Sequence, residues 1–124
     1  MINFNQIVAP LEQVIVQWVS TYHLTTPVLT LHDLTNGEFF IFMLGRIKHF
    51  TMIEDVCYTV FADLSISERI SRMKLLGRSI MRYLNSELLI DTGELKLNFV
   101  EMCKGNREES IRMIIMLMGI IIRN

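Results

Sequence analysis

Apolar residues recur along the chain at helical spacing, in stretches set apart by polar or turn-forming residues. Leu11, Val14, Ile15, Trp18, Val19 and Tyr22 follow one another at steps of three, one, three, one and three, the repeat of one face of an α-helix. Pro10 suits the first position of that helix, where a missing N–H costs nothing. Thr25-Thr26-Pro27 then breaks it, because the residue before a proline is pushed out of the helical region. From Phe39 to Leu44 and on to Ile47 the chain is apolar on nearly every side, which belongs inside a protein. Thr35 followed by Glu38 has the spacing of a capping box, so this central helix is expected to start near Asn36. Arg46, Lys48 and His49 place positive charge at its dipole-negative end.

A second box, Thr51 to Glu54, precedes Ile53, Val56, Cys57, Val60 and Phe61, which fit either one helix of about three turns or shorter turns. The third box, Ser65 to Glu68, opens the longest predicted helix, with Ile66, Ile70, Met73, Leu76, Ile80 and Leu84 on one face as far as about Asn85. Asp91-Thr92-Gly93 reads as a turn, and Leu97 to Met102 as a short helix closed by Gly105. Asn106 and Glu109 begin the last helix. Its run from Met113 to Ile122 could pass for a buried strand by its isoleucines alone, but the cap and the methionines decide for helix. No internal repeat and no strand pair is evident. The expected class is all-α, a single domain over residues 1–124 built as a compact bundle of four main helices with shorter connecting ones.

Composition narrows the function classes. The apolar fraction is 51%, yet the longest unbroken apolar run has ten residues, where crossing a bilayer takes roughly 20, so no membrane insertion is expected. The start, M-I-N-F-N-Q, lacks a secretory pattern, which points to the cytosolic side. Cys57 and Cys103 then read as reduced, buried residues. With 12 basic against 13 acidic residues there is no global field to attract nucleic acid, and an electrostatic partner must meet a local patch.

Candidate chemistry is sparse. His23, His32 and His49 share no metal-ligand spacing, neither cysteine has a CxxC partner, and phosphate-binding glycine loops are missing. No catalytic residue, metal or cofactor is expected. His32 beside Asp33 reads as a loop histidine next to a capping aspartate. Lys74, Arg78 and Arg82, four residues apart, form a basic stripe on the long helix: either a solvated face or a docking site for an acidic partner such as tubulin tails. The nine methionines suit core packing or an adaptable groove for a partner helix.

The segment D-L-T-N-G-E-F-F-I-F-M-L-G-R-I, Asp33 to Ile47, resembles the D-L-T-[ND]-G signature helix of the Hook-type calponin-homology domains. L-E-Q-V-I-V-Q-W-V-S-T-Y upstream is similar to the first helix of those domains. Downstream, R-I-S-R-M-K-L-L-G-R-S-I-M-R-Y-L-N-S-E-L resembles their long helix and E-E-S-I-R-M-I-I-M-L-M-G-I-I-I their closing one. The stretch from Phe50 to Leu64 departs most, being shorter than in Hook proteins.

The resemblance makes Asp33, Leu34, Thr35, Gly37, Phe40 and Leu44 signature residues of a structural central helix, with Trp18, Ile80 and Leu117 in the core. It implies a non-catalytic head module of a longer coiled-coil protein of the kind that includes Hook, girdin and NuMA. Such a module would link dynein-based machinery to cargo or cortex by recognising a helix of the dynein light intermediate chain. It would act in the cytoplasm on the cytoskeleton, at centrosome, spindle, cell cortex or nuclear envelope, as a homodimer joined by a coiled coil beyond residue 124. The family's partner-binding helix would start where this sequence ends, so those contact residues have no counterpart here. Direct microtubule binding through Lys74, Arg78 and Arg82 is the alternative. A Bcl-2-like bundle is a distant one, lacking that family's N-W-G-R motif.

Overall fold

In the computed structural model, residues 4–47, 50, 60–90 and 96–123 are described, and they hold five α-helices, one 3-10 turn and no strand. α1 is Phe4–Val19, so Pro10 lies inside the helix rather than at its start, where it supplies no N–H to the ladder. Its inner face is only in part the one its hydrophobic spacing predicts, since Ile15, Trp18, Val19 and Tyr22 pack inward but Leu11 and Val14 do not. Val8, Ile15 and Val19 are buried, while Leu11 and Val14 are exposed. Glu12 explains the rotation. It sits on the same side as Val8, Ile15 and Val19, where its Oε2 accepts from the Leu31 N–H at 3.0 Å and its Oε1 lies 3.7 Å from Arg107 Nε. A carboxylate with two distant partners on the inner side is invisible to a hydrophobic pattern.

The predicted central helix is split. Leu31–Asn36 forms the 3-10 turn η1, and α2, Glu38–Leu44, follows after Gly37, whose φ of 84° is left-handed. The Thr35–Glu38 capping box does not form. Instead Asp33 reaches back, its Oδ2 accepting from the N–H groups of Leu29 at 2.8 Å and Thr30 at 2.9 Å. α2 is interior on one side only: Phe39 and Phe40 are 1% exposed and Met43 and Leu44 are buried, while Ile41 and Phe42 are partly so. Arg46 lies beyond its end and stacks on Phe42, 5.4 Å from the ring centroid. The expected helix end at Lys48 and His49, the box at Thr51, Cys57 and the turn at Asp91–Gly93 lie outside the described residues. Val60 and Phe61 are described, and they are not helical.

α3, Ile66–Ser86, has its predicted box, with Ser65 Oγ accepting from the Glu68 N–H at 3.1 Å and Glu68 Oε1 from the Ser65 N–H at 3.2 Å. Met73, Leu76, Ile80 and Leu84 are buried and Ile70 partly so, but Ile66 in the first turn is exposed. α4, Phe99–Cys103, is capped by Asn98, whose Oδ1 accepts from the Glu101 N–H at 3.0 Å. It packs closely on α3, because at Gly77 an added Cβ would stand 2.4 Å from Phe99 Cζ. Gly105, at φ 106°, separates it from α5, Arg107–Arg123. α5 lies against η1, α3, α4 and α1, and contributes Met113, Ile114, Leu117 and Ile120 to the core.

Candidate functional site

The signature residues are best judged by what their polar groups touch. Asp33 caps η1 and Leu34 is buried. Thr35 is fully buried; its hydroxyl donates to the His32 carbonyl at 2.6 Å and accepts from Arg69 Nη1 at 2.8 Å. Asn36 is spent three ways. Its Oδ1 accepts from the Glu38 N–H at 2.9 Å, its Nδ2 donates to Thr26 Oγ1 at 2.9 Å, and its carbonyl accepts from Arg72 Nη1 at 2.7 Å. Gly37 lies under Arg72, where a Cβ would come within 2.8 Å of Arg72 Cδ. Arg72 is itself buried; it also donates to the Val60 carbonyl at 2.9 Å and stands 5.4 Å from the Phe61 ring centroid.

Glu38 completes the cluster. Its carboxylate accepts from the N–H and hydroxyl of both Thr25 and Thr26. Burial pushes this carboxyl up, but those four hydrogen bonds outweigh it and hold the group below its ordinary value. The side chains of Asp33, Thr35, Asn36 and Glu38 thus all make hydrogen bonds within the fold. Phe40 and Leu44 are core, as are Ile80 and Leu117, while Trp18 is partly buried with its ring edge-to-face on Phe39 at 5.2 Å. The contacts of these residues are those of architecture.

The helix exteriors carry the rows of exposed residues. Lys74, Arg78 and Arg82 are all exposed on α3, and among the described residues Lys74 and Arg78 meet no carboxylate within ion-pair distance. α5 carries an unexpected outer row. Ile115 is 60% exposed, Met118 41% and Ile122 78%, at steps of three and four residues, so one helix face is apolar on the solvent side. A similar row, Ile7, Leu11 and Val14, runs along α1. Neither row was read from the sequence, which placed Leu11 and Val14 on the apolar face of α1. An α-helix that is apolar on every side has more apolar positions than one core can cover, and the Met113 to Ile122 run is such a helix.

Chemically reactive groups are few. Burial pushes the Cys103 thiol up to about 11, against a small opposing pull from Arg69, so it stays a protonated core residue. His32 Nε2 lies 2.8 Å from the Cys103 carbonyl, which ties η1 to α4. Among the described residues no three His, Cys, Asp or Glu side chains gather as metal ligands. No described helix is long and apolar enough to cross a membrane. No family model, curated protein or solved structure matches the chain. What geometry and sequence define together, over the described residues, is an all-α fold with a hydrogen-bonded polar interior, two exposed apolar helix rows and a basic row.

Proposed function

We propose that the chain is a non-catalytic interaction module that recognises a partner helix, as the head of a Hook-type coiled-coil adaptor of dynein would. The observation that carries this reading is the outer row of α5. Ile115, Met118 and Ile122 offer the spacing with which one amphipathic helix meets another, and Met118 adds a side chain able to adapt to its partner. The D-L-T-N-G wording supplies the family expectation. The partner is the amphipathic C-terminal segment of the dynein light intermediate chain. A pull-down of the full-length protein with that segment is expected to succeed, and to fail for Ile115→Glu with Ile122→Glu. Absence of binding by the unaltered protein would count against the reading.

The exposed Lys74, Arg78 and Arg82 favour a second reading, direct attachment to the acidic surface of microtubules. It predicts co-sedimentation that weakens as salt rises and is lost when the three charges are reversed. Binding that ignores salt would sink it.

A further inference from the structure

One carboxylate suspends the loop between α1 and η1. Glu38 Oε2 accepts from the N–H of Thr25 at 3.0 Å and from its hydroxyl, and Oε1 from the N–H of Thr26 at 3.0 Å and its hydroxyl at 2.8 Å. The Thr26 hydroxyl has one further contact, accepting from Asn36 Nδ2 at 2.9 Å. Among the described residues no other hydrogen bond ties residues 25–28 to the body of the protein. Thr26 is followed by Pro27, in an irregular stretch where Thr25, Pro27 and Leu29 are exposed. Threonine followed by proline in such a stretch is the acceptor pattern of proline-directed protein kinases.

We propose that Thr26 is a phosphorylation site, and that a phosphate there detaches the Thr25–Val28 loop from α2. In the transfer, a bond forms between Thr26 Oγ1 and the γ-phosphorus of ATP while the bond from that phosphorus to the bridging oxygen breaks. The hydroxyl proton passes to the kinase's base, and ADP leaves. The product cannot keep the clamp. Oγ1 has lost the hydrogen it gave to Glu38, and about −1.5 to −2 units of charge now stand against a buried carboxylate. Repulsion between like charges grows as the surroundings become less water-like, so the anion that can reach solvent, the phosphate, is the one that moves. With the end of α1 the loop walls a hollow of about 210 Å³, lined by Val19, Tyr22, Leu24, Pro27 and Leu29 among others, and its departure removes that wall and uncovers Val19.

Because the Thr26 hydroxyl is engaged in the closed loop, transfer follows loop opening, and its rate measures that local equilibrium. The test treats the intact protein and a peptide of residues 20–30 with a proline-directed kinase and Mg-ATP, maps the phosphate by mass spectrometry, and follows amide hydrogen exchange. Phosphate is expected on Thr26 in both, and in neither when Thr26→Ala is introduced. In the modified protein the Thr25 and Thr26 amides should exchange at least roughly tenfold faster while α5 keeps its protection. Glu38→Gln should raise the initial rate on the intact protein several-fold. Ile80→Val, a core change on α3, should not. The proposal is overturned if the peptide is phosphorylated but the protein is not, if neither is, or if the phosphate goes elsewhere. It is equally overturned if the phosphorylated loop exchanges no faster, or if Ile80→Val accelerates transfer as much as Glu38→Gln. It concerns a different surface from the helix-docking row, so neither result decides the other.

Discussion

Two regions of this molecule invert the usual rule of polar outside and apolar inside. At the junction of η1, α2 and α3, Thr35, Asn36, Glu38 and Arg72 are polar and buried; at the far end of α5, Ile115, Met118 and Ile122 are apolar and exposed. The first inversion is compensated. Glu38, Asn36 and Thr35 each meet partners at 2.7 to 3.0 Å from other parts of the chain, so the penalty of burial is offset by long-range bonds that also fix the register of three elements. The second has no compensation within the described residues. An inversion whose polar groups are satisfied holds the fold, whereas an apolar row left in solvent adds little to it.

Substitutions should separate the two regions by size of effect. Arg72→Met keeps the packing volume but removes the donors to the Asn36 and Val60 carbonyls, and should lower unfolding stability by about 3 kcal/mol in urea. Gly77→Ala drives a Cβ to 2.4 Å from Phe99 Cζ and should cost roughly 2 kcal/mol; most of that should disappear when Phe99→Ala is added. Glu38→Gln should cost about 1 to 2 kcal/mol at neutral pH. Because the folded carboxyl lies below its ordinary value of 4.5, the stability it contributes is complete above that value and is lost as pH falls through the lower folded one. Denaturation of the two proteins should therefore converge in acid.

The outer rows should behave in the opposite way. Ile115→Glu with Ile122→Glu should leave stability within about 0.5 kcal/mol per site while removing partner binding. Should those changes destabilise as strongly as Arg72→Met, the α5 exterior would be part of the core and the comparison would collapse. Reversing Lys74, Arg78 and Arg82 should be smallest of all on stability, within about 0.5 kcal/mol, and should act only on salt-sensitive association.

Local devices were legible in the amino-acid order, and distant ones were not. Ser65 and Glu68 form their box because both partners lie within one turn and nothing else competes for them. Asn106 likewise accepts from the Glu109 N–H at 3.3 Å at the start of α5. Thr35 and Glu38 have the same spacing and do not pair, since Arg69 and the Thr25-Thr26 pair outbid the local arrangement. The spacing of a capping box is thus necessary and not sufficient. Glu12 teaches the same lesson for a helix face: its bonds to Leu31 and Arg107 turned α1 so that Val8 went in and Leu11 and Val14 stayed out. That α2 lies largely inside was legible because so apolar a helix has no polar side to turn outward.

By itself, then, the sequence determined that the described chain is helical, where α3 begins, and that Phe39 to Leu44 must lie largely inside, because these follow from bonds and burial that neighbouring residues impose on one another. Only the tertiary structure decided which side of α1 and α5 was left outside, why the predicted central helix breaks at Gly37, and that Glu38 holds a loop rather than a helix end. Those outcomes depend on residues tens of positions apart competing for the same donors and the same space, and no local pattern records who wins.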